Sequence, residues 1–490
     1  MKSLDSKIAN GVGWVSLSAL GNQGFRLVVK LILARILLPE HYGLIGMAVV
    51  FTSFVKLISE LGMGAALIQR SKRRLSEEYF HTAFWTNLVI SLLGFILIST
   101  VLAPVAAWFY DEIILIRLVP ILAVPIILDS LYLIPKVRLS RELNFKPIAI
   151  IELSSVMIAG LVSVVLANLG YGVWSLAFNG IIASALSVIL YFLSQRWVPH
   201  LVFRWEACKS LFGFGGYVLI EQIFIFFTSN IDYILIGKLI GSAALGVYTL
   251  AFILTGTFRK QIMGILNKVL FPAYSSIQHD AQAIKQYYLK VVKTNGIILL
   301  PIMTILMVLA EPIIIIGFGE EWRDTIFPLR MLSIGVIIHA ISGTSSTVMK
   351  SMGKAKLVTN LNIFITLCLS VPAIAIGAYT YGIKGVSLGV VFFKLAGYLI
   401  YQQYIFRVIG VSMVTAIAQL VPIGVYCLVG AAITLTLQYL FNMPLIGFGI
   451  VGGTIILSSC ILYIARYEKG LILQVKKIIH PKKLAYKVNS

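Results

Sequence analysis

The sequence predicts an all-α polytopic membrane protein of about fourteen transmembrane helices, and three observations predict it. Apolar residues make up 59% of the chain and charged residues only 12%, about half the roughly one quarter found in soluble domains. The mean hydropathy is +0.95, and long apolar runs recur along the whole length, each near the roughly 20 residues that cross a bilayer. The cations, which set a net charge of +21, gather in alternate connections between those runs. A membrane β-barrel would instead show short segments of alternating polarity.

The spans are expected at 11–37, 42–67, 82–109, 113–135, 147–169, 172–194, 211–238, 243–271, 295–317, 325–348, 357–378, 382–406, 414–440 and 444–465. The first opens with MKSLDSKIANGVGWVSLSALG, two lysines and then an apolar run, as a signal peptide would. It continues past Arg26 without a small-residue cleavage site, so it reads as a retained helix. An even number of spans puts both termini on one side. RSKRR (70–74), KVRLSRELNFK (136–146), QRWVPHLVFRWEACK (195–209), the 273–294 segment, KSMGKAK (350–356) and the tail from Arg466 form a cation-rich set. PEHY (39–42), YDE (110–112), ANLGYG (167–172), GEEWRD (319–324) and NMP (442–444) are short and neutral or acidic. Positive charge stays on the cytoplasmic side, so both termini are expected there, and the net charge reflects topology and anionic lipid rather than nucleic acid.

A shift of 203 residues lays the first two spans over the seventh and eighth. KLILARILLPEHYGLIGMA (30–48) falls on YILIGKLIGSAALGVYTLA (233–251), so Gly43 meets Gly246 and Arg35 meets Lys238. A period of six spans is a parallel repeat. It predicts two six-helix lobes, 1–195 and 211–406, joined by a cytoplasmic linker at 196–210. Two helices (407–466) and a basic cytoplasmic tail (467–490) follow, the tail reading as an interfacial helix on an anionic leaflet.

Deep charges concentrate in the four spans the repeat relates. Arg26 and Lys30 share one face of the first, Lys56 and Glu60 lie in the second, Glu221 and Asp232 in the seventh, and Arg259 and Lys260 in the eighth. Asp129 and Lys394 are deep charges elsewhere, and Arg35 sits near an outer end where it can snorkel. Each deep charge costs about 2.5–3.5 kcal/mol at a helix centre, so the group is expected to line a shared hydrated cavity between the lobes. Local pairing, such as Lys56 with Glu60, is the alternative, but the cations outnumber the anions. A cationic cavity suits an anionic cargo, and the guanidinium fork suits phosphate. Glu60, Glu221 and Asp232 are candidates for ion coupling or structural pairing, with Asp232 preferred for coupling. Trp14, Phe25, Tyr217 and Tyr248 are aromatics able to stack on sugars or to pack. Neither the four cysteines (208, 368, 427, 460) nor the six histidines show ligand spacing, so no metal, cofactor or catalytic residue is expected.

The blocks ARILLPEHYGLIGMA (34–48), ELGMGAALIQR (60–70), RLSRELNFKPIA (138–149), GYGVWSLAF (170–178) and NIDYILIGKLIGSAALGVYTLAF (230–252) resemble the polysaccharide flippases of the MOP exporter superfamily, in the branch of colanic-acid and teichuronic-acid exporters. The resemblance implies a bacterial cytoplasmic-membrane protein with a MATE-like pair of six-helix lobes. Its activity would be flipping polyprenyl-pyrophosphate-linked oligosaccharides for cell-surface polysaccharide biosynthesis, with membrane lipids and polysaccharide assembly machinery as partners. It further implies substrate-binding cations in the cavity, which map by span and depth to Arg26, Lys30, Lys56, Arg259 and Lys260. A drug antiporter of the same fold would need an acidic or aromatic cavity. A membrane polymerase would need a sizeable catalytic loop, and a scaffold would leave the deep charges unexplained.

Overall fold

The structure is a computed structural model that describes residues 2–60, 63–69, 76–212 and 215–468. The described residues form helices with short connections and no strand. Nine helical segments among them are long and apolar enough to cross a membrane. The longest, Ala355–Ile409, is two rods, because Tyr381 (φ −134°) and Gly382 (φ 56°, ψ −136°) leave helical geometry. Large apolar side chains stand outward, Leu93 at 60%, Leu161 at 61% and Leu193 at 69% exposure. In water such a surface would drive association, whereas in a bilayer it meets acyl chains. The protein is an all-helical, multi-pass membrane protein.

The helices outrun the hydropathy pattern, chiefly on the cation-rich side. The span expected at 113–135 is the helix Leu115–Arg141, and the one expected at 82–109 runs from Glu77 to Tyr110. The largest displacement is at 295–317. There the helix begins at Ala281, where the Asp280 carboxylate caps the Ala283 N–H at 2.9 Å, and it stops at Val308. Lys285, Lys290 and Lys293 belong to this helix rather than to a loop. Backbone hydrogen bonding favours continuing a helix past the hydrocarbon edge wherever the sequence permits it, so charge marks the membrane boundary and not the helix end.

Two spans contain a π-turn, Ile98–Leu102 and Ile365–Ser370, each followed closely by a proline, Pro104 and Pro372. A widened turn takes up the register that a missing N–H disturbs.

By compactness the chain divides into two units, Met1–Thr249 and Leu250–Ser490, the division falling inside the helix Ser242–Ser276. In the first unit Lys2–Ile36 packs along Phe145–Asn168, and Leu115–Arg141 packs on Val173–Gln195 and on the helix from Glu77. The helices Pro39–Glu60 and Gly215–Leu239 also meet in this unit. A Cβ placed on Gly43 would stand 1.7 Å from the carbonyl oxygen of Ser242, and one on Gly246 would stand 1.7 Å from that of Pro39. The two contacts are one contact with its partners exchanged, since the 203-residue shift carries Pro39 to Ser242 and Gly43 to Gly246. In the second unit Ala281–Val308 packs against Ile326–Ser342 and Val421–Phe441, and Val421–Phe441 against Leu445–Tyr467.

Candidate functional site

Lys56 projects from the helix Pro39–Glu60 towards the middle of Leu115–Arg141. Its ammonium donates to Asp129 Oδ2 at 2.8 Å, with 46% and 25% of the two side chains exposed. Asp129 Oδ1 accepts from the Ser184 hydroxyl at 2.7 Å and from the Tyr132 hydroxyl at 3.1 Å. Among the described residues Lys56 thus meets a carboxylate 73 positions away, while Glu60, its sequence-local candidate partner, has its side chain outside the described residues. Two turns further along Leu115–Arg141, Lys136 pairs with Glu152 at 2.7 Å. These groups line or adjoin a cavity of about 520 Å³ whose wall includes Lys56, Asn87, Ser91, Asp129, Tyr132 and Lys136. Hydroxyls, an amide and charged groups share its wall with apolar side chains such as Ile126, Leu133 and Val137.

Arg26 and Lys30 lie one turn apart on Lys2–Ile36, both exposed. Asp232, on Gly215–Leu239, accepts from the Tyr248 hydroxyl at 2.7 Å and from the Tyr233 N–H at 3.0 Å. Tyr248 is buried, at 1% exposure, so this aromatic packs within the unit and is withdrawn from solvent. Trp14 lies under the Lys146 ammonium, 5.7 Å from ring centre to nitrogen. The side chains of Glu60, Glu221, Lys260 and Tyr217 lie outside the described residues, as do RSKRR (70–74) and the tail from residue 469.

In the second unit Arg259 Nη1 donates to His339 Nε2 at 3.3 Å. Lys394 folds its aliphatic stem over Gly335, one turn from His339. His339, Lys394, Asn362, Tyr398 and Tyr401 border a cavity of about 210 Å³. Sequence reasoning missed His339, because its neighbour Arg259 lies 80 residues away and no local spacing signals the meeting.

Residues 32–327 match the family model described as polysaccharide biosynthesis protein. The chain belongs to this family. Among similar relatives are the teichuronic acid biosynthesis protein TuaB of Bacillus subtilis, 27% identical over 73% of this chain and 74% of that one, and the lipopolysaccharide biosynthesis protein WzxC of Escherichia coli, 26% identical over 79% and 78%. The succinoglycan biosynthesis transport protein ExoT of Rhizobium meliloti is 28% identical over 71% and 70%. Among solved structures, the lipid II flippase MurJ in an inward closed conformation aligns with a TM-score of 0.69 at 16% identity, covering 93% of this chain and 99% of that one. An inward-facing MATE transporter of the MOP superfamily aligns at 0.62 and 16% identity, covering 82% and 98%. The polysaccharide biosynthesis protein described here thus has the MurJ/MATE-like fold. Asp129, Glu152 and Lys394 sit on helices long and apolar enough to cross a membrane, where solvated loops would have been the cheaper place for them.

Proposed function

We propose that this protein flips polyprenyl-pyrophosphate-linked oligosaccharide units across the bacterial cytoplasmic membrane by alternating access, for cell-surface polysaccharide biosynthesis. The observation that carries the reading is the set of cations on helices of a MurJ/MATE-like fold: Arg26 and Lys30 exposed on one helix, Lys56 on the wall of a cavity it shares with Asp129 and Lys136, and Arg259 beside His339. Membership of the polysaccharide biosynthesis family and likeness to the transport protein ExoT agree with it. Neither the sugars nor the pyrophosphate of such a cargo can cross hydrocarbon unassisted, and the pyrophosphate is the part that always carries charge. Guanidinium and ammonium groups replace its lost hydration and counterions. The isoprenoid tail needs no such help, since it remains in lipid.

The finer architecture in this reading is fourteen spans. They form two six-helix repeats (1–195 and 211–406) linked by 196–210 and followed by the 407–466 pair and the basic tail from 467. The exchanged contacts of Gly43 and Gly246 support the repeat. Both termini face the cytoplasm. Lys260, Glu60 and Glu221 complete the proposed charged set, the two glutamates with Asp232 serving in ion coupling or pairing.

The test is complementation of a host blocked in export of a lipid-linked repeat unit, with surface polysaccharide measured. The parent chain restores export. Arg26→Ala and Arg259→Ala, produced at parental levels, lower it at least tenfold. Full export by both variants would remove these residues from the site. Failure of the parent across hosts with chemically different repeat units, joined to a gain in drug resistance, would favour a drug antiporter of the same fold.

A further inference from the structure

The Lys56–Asp129 pair is built asymmetrically. Asp129 is held as an acceptor by two hydroxyls, Tyr132 from its own helix and Ser184 from Val173–Gln195, both on Oδ1. Oδ2 is the atom that takes the Lys56 ammonium. The carboxylate is thus fixed by hydrogen bonds that do not involve Lys56. Lys56 reaches it on a flexible four-carbon arm, and the arm is 46% exposed towards a cavity of about 520 Å³. If the pair parts, the carboxylate stays where it is and the ammonium swings. The neighbouring Lys136 is taken separately by Glu152, so each lysine on this wall has a carboxylate of its own.

We propose that Asp129 is an internal counter-ion that competes with the anionic head of the cargo for Lys56. In the empty carrier the carboxylate holds the ammonium; in the loaded carrier a phosphate oxygen takes its place. The proposal rests on the reading above, in which Lys56 contacts the cargo's anion. An unpaired ammonium among membrane helices is costly. Exchanging one anion for another keeps Lys56 compensated both when the carrier is loaded and when it returns empty. The exchange also weakens net binding, because cargo must displace a partner already in place, and that favours release on the far side. No covalent step is involved; one ion pair opens as another closes.

The experiment measures binding of farnesyl pyrophosphate, a short polyprenyl pyrophosphate, to the full-length protein in lipid nanodiscs. Asp129→Asn retains an acceptor oxygen for Ser184 and Tyr132 but loses the competing charge. It is expected to bind the probe about tenfold tighter, the value of one charge-assisted hydrogen bond, while exporting polysaccharide more slowly in the complementation assay. In a Lys56→Gln background the same substitution changes affinity by less than about twofold, since there is no ammonium left to compete for. Unchanged or weaker binding by folded Asp129→Asn, with Lys56→Gln weaker than the parent, overturns the counter-ion and leaves the cargo site standing. Equal binding by Lys56→Gln and the parent overturns the cargo contact itself. A structure of the parent with the probe bound needs no substitution at all. Lys56 Nζ within hydrogen-bond distance of phosphate and parted from Asp129 is the expected result, and an intact Lys56–Asp129 pair beside bound probe refutes the exchange.

Discussion

Lys136 and Glu152 illustrate how a membrane helix can carry charge near one of its ends. They meet at 2.7 Å with 40% and 31% of their side chains exposed, and the Ser18 hydroxyl adds a longer bond, 3.4 Å, to the other Glu152 oxygen. Removing either charge alone is expected to lower stability by about 1 kcal/mol. The reversed pair Lys136→Glu with Glu152→Lys is expected to recover most of that loss in thermal unfolding monitored in detergent; a double variant no better than the worse single would show that the two do not interact. Asp232 calls for a different test, because its partner Tyr248 is buried. Tyr248→Phe removes the donor at 2.7 Å and leaves a carboxylate oxygen without it, an expected loss of about 1–3 kcal/mol, read as a drop in melting temperature. An unchanged melting temperature would leave Asp232 without a structural task in this contact and strengthen its candidacy for coupling. The sequence singled out Asp129 and Lys56 as deep charges but could not join them, since 73 residues separate them. Polarity at depth is a one-dimensional signal, and partner choice is not.

At the scale of elements, Gly43 and Gly246 are fixed by contact rather than by backbone conformation. Each lies where a Cβ would overlap a carbonyl carbon and oxygen of the other helix pair. Gly43→Ala or Gly246→Ala therefore forces the helices apart, at an expected cost of about 1–3 kcal/mol, and the exchanged geometry predicts similar effects from either. The check is labelling of a cysteine at Ser242 by a membrane-impermeant thiol reagent, expected to be faster in both alanine variants; unequal effects would break the equivalence of the two contacts. Gly382 differs, because its φ of 56° with a ψ near −136° is a conformation that L side chains rarely adopt. Gly382→Ala is expected to cost about 1–3 kcal/mol through backbone strain alone, measurable as a lowered melting temperature. The sequence located the break closely, since the expected spans end at 378 and resume at 382. It missed the start of the helix at Ala281 because lysines at helical spacing look like a loop to a hydropathy window.

At the scale of the whole molecule, the alternation of cation-rich and neutral connections predicts sidedness. A cysteine introduced at Asp111 or Glu320 is expected to react with an impermeant reagent from outside intact cells, and one at Lys354 only after permeabilisation; the reverse pattern would invert the topology. GEEWRD, read from sequence as an outer acidic loop, is a 3₁₀ helix at Glu320–Thr325 in which Arg323 pairs with Glu320 at 2.6 Å while Trp322 is 1% exposed. The loop thus also seats an aromatic anchor. Cys427 and Cys460, which show no ligand spacing in the sequence, bring their sulfurs together in a buried contact at 3.5 Å between the helices Val421–Phe441 and Leu445–Tyr467.

The sequence by itself determined that this chain lives in a membrane and crosses it repeatedly as helices, because a run of apolar residues long enough to span hydrocarbon must satisfy its backbone internally. It also determined which segments carry charge at depth, since charge there is too costly to be incidental. The tertiary structure decided which partners several of these charges meet. It gave Lys56 to Asp129, Lys136 to Glu152 and Arg259 to His339, and it pressed Gly43 and Gly246 onto backbone carbonyls of the opposite segment. Those pairings depend on how helices far apart in the chain are packed side by side, and no periodicity along one helix specifies which neighbour it will meet.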